Sequence, residues 1–204
     1  LSAETLRQRY PGVRVGEVVG RFTTDLHRLG PGGRRMIVFF GSTLGNFHPD
    51  ATVPFLRQLA ARTGPDDSVL LGLDLVKDTA VLEAAYNDSQ GITARFNKNI
   101  LAGFGDAVGA DLDPDDFEHV AFFDADNAWI EMRLRARRDL AVPLPALETT
   151  LTLAAGQEIR TEISCKYTRA RIARYARAAH LELAGWYTDD RDLFALALLR
   201  RPSP

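Results

Sequence analysis

Two glycines, two hydroxyls and an amide fall within Phe40-Gly41-Ser42-Thr43-Leu44-Gly45-Asn46-Phe47, directly after the apolar run Met36-Ile37-Val38-Phe39-Phe40. In open α/β sheets, ligands bind beyond the carboxyl ends of strands, where glycine turns let the backbone approach them. The segment is therefore a candidate small-molecule site. Asn46 can donate and accept through its amide, or it can cap the helix that follows. Asp74 sits in an apolar strand and needs a partner if buried, so it is either structural or turned toward the site. Asp78 is placed as a helix cap. Tyr86 shares a helix face with Leu82, which favours core packing, but the polar run Asn87-Asp88-Ser89-Gln90 follows it. Its phenol thus stands where buried carbon meets polar ground. Glu162 and Ser164 alternate along a strand onto one face, with Ile159, Thr161 and Ile163 on the other. On a solvated face they have no special role. Facing a cleft, they pair an acceptor with a hydroxyl and suit a heterocycle bearing N–H groups, such as imidazole.

Other chemistries find little support. His27, His48, His119 and His180 have no metal-ligand spacing, and G-x-S-x-G, P-loop and H-E-x-x-H patterns are absent. Hydrolase, nucleotide triphosphatase and metal-centre readings fall away. A net charge of −2 gives no general attraction to nucleic acid or membrane surface. The one cysteine, Cys165, cannot form an internal disulfide. With no apolar run of membrane-spanning length and no leader pattern, the expected setting is the cytoplasm.

The elements that must position these residues alternate at first. Leu1 to Tyr10 reads as the later part of a helix, and Val13 to Val19 as a strand. Asp25 to Leu29 is a short helix stopped by Gly30-Pro31-Gly32-Gly33. A strand over Arg34 to Phe40, a helix over Pro49 to Thr63 and an apolar strand over Ser68 to Val76 follow. This order predicts a parallel sheet with right-handed crossovers. Thr79 to Gly109 is helical, with a break at Asn87 to Gly91. Strands over Val120 to Phe123 and Ala128 to Leu134, then Leu147 to Leu153 and Glu158 to Cys165, read as two hairpins. Thr168 to His180 is a helix and Leu193 to Leu199 a last strand. With 204 residues, 46% of them hydrophobic, one sizeable core is expected. The division is a core over residues 1–110, a β-rich substrate-binding subdomain over 111–167, and a return to the core sheet over 168–204.

Seven runs carry a resemblance in order along the chain: FFGSTLGNFHP, LLGLDLVKD, LEAAYND, ITARFNKNIL, FEHVAFFDA, IEMRLRA and IRTEISCKYT. Together the chain resembles the histidine-specific, S-adenosylmethionine-dependent methyltransferases of ergothioneine biosynthesis. The resemblance implies an α/β fold: a class I, Rossmann-like methyltransferase sheet, N-terminally incomplete, with a β-rich substrate subdomain. It implies Nα-methylation of L-histidine to trimethylhistidine (hercynine), with S-adenosylmethionine as cofactor, by a monomer. By the same resemblance, Asn46 and Tyr86 hold the α-amino and α-carboxylate end of histidine. Glu162, Ile163 and Ser164 read the imidazole, and Met132 lines the pocket. Phe22 and Gly41 meet the cofactor. Arg21 stands where the family usually has an acidic residue for the adenine amino group. No residue is read as a general base. The glycine-rich loop and ribose-binding acid of such sheets have no counterpart in these residues, which implies that the chain by itself is inactive. Two alternatives stay open, namely an N-methyltransferase for another amino acid such as tryptophan and a non-catalytic amino-acid-binding remnant.

Overall fold

The computed structural model describes residues 3–30 and 34–202. A short helix α1 (Ala3–Arg9) and a single helical turn at Leu26–Arg28 precede β1 (Met36–Phe39). Helix α2 (Pro49–Ala60) opens on proline, whose missing N–H costs nothing at a helix start. It buries Phe55, Leu56, Leu59 and Ala60. Strand β2 (Ser68–Asp74) is covered almost throughout, and Val69, Leu71 and Leu73 are wholly buried. Helices α3 (Thr79–Tyr86) and α4 (Ile92–Val108) follow. The break between them is built by Asp88, whose carboxylate accepts the Ile92 and Thr93 amides at 2.8 Å each. Those bonds, the Thr93 one foremost, hold its pKa down at about 2.

Beyond α4 lie β3 (Phe117–Asp124), β4 (Trp129–Ala136), β5 (Leu140–Leu144), β6 (Thr149–Leu153) and β7 (Glu158–Cys165). Helix α5 (Arg169–Ala178), β8 (Glu182–Thr188) and β9 (Phe194–Arg200) complete the chain. The main sheet runs β1-β2-β9-β8, with β1 and β2 parallel and β9 antiparallel to both neighbours. Helices α2 and α5 pack into its core through Phe55, Leu56, Leu59, Ile172 and Ala176. A second, antiparallel sheet runs β3-β4-β7, and β5-β6 form a hairpin of their own. The result is an α/β fold with a Rossmann-like sheet beside a β-rich unit.

Several expectations change. Val13 to Val19 is not a strand; it is nearly all exposed and joins no sheet among the described residues. Alternation alone makes no strand where no neighbouring edge takes up its N–H and C=O groups. The sheet is not purely parallel, because β9 enters reversed between β2 and β8. The second expected hairpin does not form: β6 pairs with β5, and β7 pairs with β4. The turn between them ties back to β4 instead, through Gly156 N to Ala136 O at 2.8 Å and Ala136 N to Gln157 O at 2.9 Å. Of the expected stop at Gly30 to Gly33, residues 31–33 lie outside the described part.

The two sheets meet at the glycine turn. Gly41 (φ +72°) and Ser42 (φ +53°) take left-handed conformations in succession and reverse the chain into a helical turn at Thr43–Asn46. Ser42 is held there by its Oγ, which accepts the Asp74 amide at 3.0 Å. A β-carbon at Gly45 would lie 2.9 Å from the Cys165 carbonyl oxygen and 3.3 Å from its nitrogen. Gly45→Ala should therefore force the turn off β7 and cost about 1–3 kcal/mol, the usual penalty of overpacking. The midpoint of urea unfolding measures it.

Candidate functional site

At the end of β7 and on α3, four polar side chains close on one another. Tyr86 Oη donates to Ser164 Oγ at 2.9 Å. Lys166 Nζ donates to Tyr86 Oη at 2.8 Å and to Ser164 Oγ at 2.9 Å, and pairs with Asp74 Oδ2 at 2.8 Å. Asp74 also binds Lys77 Nζ at 2.5 Å. Burial pushes its carboxyl up, but the bonds from Lys166 and Lys77 outweigh this and leave its pKa below the ordinary value. Asp74 is thus a doubly paired carboxylate, which is the structural reading of its place in an apolar strand.

A bulge decides which way β7 faces. Met132 stands opposite Glu162 and Arg133 opposite Arg160, so Thr161 is the extra residue. Its hydroxyl donates to Asn97 Oδ1 at 2.6 Å and lies 3.0 Å from Met132 O. Glu162 opposes Met132 and Ser164 opposes Ile130, so these four share a face, as directly paired residues do. Leu82, Ile130 and Met132 form a buried cluster with Tyr86 packed against it. Strict alternation fails at the bulge: Ile159 opposes Leu134, on the Glu162 face, and packs with the cluster of Leu101 and Leu134. Ile163 keeps the other face, and its side chain packs against the main core. It therefore reaches this cluster only through its backbone.

Glu162 is the singular group. It is half-buried and has neither hydrogen bond nor ion pair among the described residues. Burial raises its pKa, and the Lys166 charge only partly opposes this. An acceptor held in such a place without a partner is ready for a donor from a ligand.

The remaining expected residues are not joined to this cluster by any bond among the described residues. Asn46 does not cap α2, since that position belongs to His48. Its side chain is exposed at the end of the turn whose backbone touches Cys165 at Gly45. Asp78 does cap α3, accepting the Val81 amide at 3.1 Å. Phe22, 46% exposed, lies edge-on to Phe39 at 5.3 Å and stacks parallel to Phe47 at 6.0 Å. It borders a hollow of about 530 Å³ with Val38 and Phe39. Arg21 is exposed, and its backbone amide donates to Asp25 at 2.8 Å.

Two features escaped the sequence. Lys166 follows the flagged Glu162–Ser164 pair, and the break of polar alternation at Cys165-Lys166-Tyr167 is its only trace. The second is a partly buried relay behind Tyr86. Asn97 donates to His119 Nδ1 at 2.9 Å, which makes Nε2 the donor to Tyr86 O, also at 2.9 Å. A hollow of about 820 Å³ lies elsewhere, among Arg57, Arg177, His180 and Arg201. Arg57 and Arg201 there bind the carbonyls of Ala178 and Ala60 at the ends of α5 and α2.

Because the native state favours protonated Glu162, its contribution to stability is full below the ordinary glutamate pKa and is lost as pH rises through the raised one. Glu162→Gln should thus leave stability unchanged near pH 4. At pH 7 it should raise stability by less than about 1 kcal/mol, since water screens a half-exposed group. Thermal melts at the two pH values measure the difference.

The chain matches, over residues 1–201, the family model described as histidine-specific methyltransferase, SAM-dependent. It is 44% identical over 192 residues to a histidine N-alpha-methyltransferase of Mycolicibacterium smegmatis, covering 94% of this chain and 60% of that protein. To a histidine N-alpha-methyltransferase of Mycobacterium tuberculosis it is 42% identical, covering 97% of this chain and 61% of that protein. Ergothioneine biosynthesis protein 1 of Schizosaccharomyces pombe is 31% identical over 147 residues, covering 68% of this chain and 19% of that protein. The chain thus spans about 60% of the length of the two bacterial relatives. The ordered motifs, the α/β sheet and the match over nearly all its residues agree: the chain belongs to the family of histidine-specific, S-adenosylmethionine-dependent methyltransferases.

Proposed function

We propose that the whole protein methylates the α-amine of L-histidine with S-adenosylmethionine, yielding trimethylhistidine for ergothioneine biosynthesis. The observation that carries this reading is the unpartnered Glu162 carboxylate beside the Ser164 hydroxyl on one strand face. An imidazole N–H donates to the first, and its ring lone pair accepts from the second. Met132, buried opposite Glu162, gives the ring an apolar side. The relatives' names, histidine N-alpha-methyltransferase and ergothioneine biosynthesis protein, agree with this substrate and product.

Tyr86 and Asn46 hold the amino-acid end. Tyr86 Oη keeps a lone pair free after accepting from Lys166, and the exposed Asn46 amide both donates and accepts. When bound, S-adenosylmethionine supplies an electrophilic methyl on a sulfonium. The residues present fit it in part. Gly41 leaves the strand exit open to close backbone approach, and Phe22 offers an apolar face beside a hollow. Arg21 cannot accept from an adenine amino group. The protein's task is alignment: holding the imidazole and carboxylate fixes the amine nitrogen for in-line attack. Contacts remote from that nitrogen select the amino acid. Residues 111–167 act as the substrate-binding unit, and the protein works as a cytoplasmic monomer. No described helix is long and apolar enough to cross a membrane.

Mass spectrometry of histidine incubated with S-adenosylmethionine and the protein expressed from its full reading frame should detect trimethylhistidine. Glu162→Ala should weaken histidine binding by about 100-fold, the loss expected for a charged hydrogen bond in a half-buried site. Unmethylated histidine from a folded protein that still binds it would turn the reading to a binding remnant, and methylated tryptophan would turn it to another acceptor. Arg21→Asp should tighten S-adenosylhomocysteine binding by about tenfold, one added hydrogen bond's worth, as read by calorimetry.

A further inference from the structure

Tyr86 ends helix α3, where the last carbonyls have no partner within the helix. Its carbonyl oxygen is met by a side chain instead: His119 Nε2, on β3, stands 2.9 Å away. Where the imidazole carries its proton is decided on the far side of the ring. Asn97, on α4 and only 4% exposed, places its amide nitrogen 2.9 Å from His119 Nδ1 and 3.1 Å from Arg133 O. A carbonyl only accepts, so the nitrogen end of that amide faces both groups, while the Thr161 hydroxyl fills the oxygen end at 2.6 Å. Nδ1 therefore accepts, and neutral His119 carries its proton on Nε2, aimed at Tyr86 O. Thr161 and Arg133 flank the register shift between β4 and β7, so the bulge itself sets this direction. Two further bonds tie α3 along β3, from Phe123 N to Glu83 Oε1 and from Asn87 Nδ2 to Ala121 O, both at 3.0 Å. Neither reaches Tyr86 itself.

We propose that His119 is a positioning residue for Tyr86, with Asn97 as the group that orients it. This rests on the reading of Tyr86 as a holder of the amino-acid end of histidine. The phenol oxygen has three bonding directions, and Lys166 and Ser164 occupy two of them. The third, left for a ligand, follows the direction of the tyrosine ring. A ring held only at its oxygen can pivot there and no longer aims that third direction. The His119 bond fixes the other end of the residue, because it stops the last turn of α3 from fraying as helix ends do. The imidazole end of the pocket stands on β4 and β7 and does not use this bond. His119 therefore acts on the hold of the amino-acid end and leaves the ring's alone.

Calorimetry on the protein expressed from its full reading frame tests this with L-histidine, histamine, which lacks the carboxylate, and imidazolepropionate, which lacks the amine. His119→Asn keeps an acceptor for Asn97 but is too short to reach the Tyr86 carbonyl. It should weaken L-histidine by about tenfold, one hydrogen bond's worth, and change the analogue lacking the group that Tyr86 holds by less than about twofold. His119→Gln, whose amide can span both ring-nitrogen positions, should bind L-histidine within about threefold of the native protein. Near-ultraviolet circular dichroism checks that each variant is folded. Nitrogen-15 spectra of the native protein should show His119 protonated at Nε2 and bare at Nδ1, and the opposite tautomer overturns the proposal without any substitution. Unchanged L-histidine binding in His119→Asn overturns it too, as do equal losses in the two variants. So does equal weakening of all three ligands, which a merely structural histidine would give. Failure of the underlying reading shows separately, in the native protein: L-histidine would bind no more tightly than the two analogues, or not at all.

Discussion

The ion pair between Lys166 and Asp74 is the constraint on which the rest of the site depends. Stripping water from an ammonium costs several kcal/mol, and Coulomb attraction offsets it only when the geometry is good and every remaining donor is satisfied. Here Asp74 supplies the charge and the Tyr86 and Ser164 oxygens supply the other acceptors. Satisfying one buried cation thus brings together the end of β2, the last residue of α3 and the strand exit of β7. The β7 exit comes from far along the chain, Ser164 standing 78 residues after Tyr86. Their meeting point is where the main sheet and the β-rich unit join.

The glycine turn after β1 depends on the same junction. Its backbone reaches β7 because Gly45 has no side chain, and Tyr167 Oη donates to Leu44 O at 2.9 Å from the residue after the lysine. Ser42 ties the turn to β2 at Asp74, whose backbone amide it accepts and whose carboxylate holds Lys166. The strand exit therefore has a shape fixed from two sides before any ligand arrives. Such a preformed surface leaves less ordering to be done on binding.

Much of this was legible in the chain, for identifiable reasons. β2 reads as a continuous apolar run because the sheet covers it on both sides, and α2 and α5 show the spacing of helices with one buried face. Glu162 and Ser164 stood out because polar residues two apart define a strand face. What escaped was masked by local chemistry. Pro143 hides β5, since proline argues against a strand except at an edge, and β5 pairs on one side only. Ala184-Gly185 hides β8, where the register shifts between Leu183 and Gly185. The Thr161 bulge moves Ile159 to the face that alternation denied it. Lys166 escaped because lysine in a sequence reads as surface, and only the acceptors gathered from distant segments allow it to be buried.

Glu162 shows what such an arrangement permits. A half-buried carboxylate with no hydrogen bond favours protonation, and burial moves Glu162 that way. The nearby Lys166 charge opposes the shift without forming a contact with it, so the carboxylate is electrostatically supported while its lone pairs stay free. A direct salt bridge would have supported it more strongly and closed it to a ligand. By tying the ammonium to Asp74, Tyr86 and Ser164, the fold keeps the cation close enough to help Glu162 and too occupied to capture it. Stability alone would favour the closed pair, so an acceptor left open here is set by something other than stability.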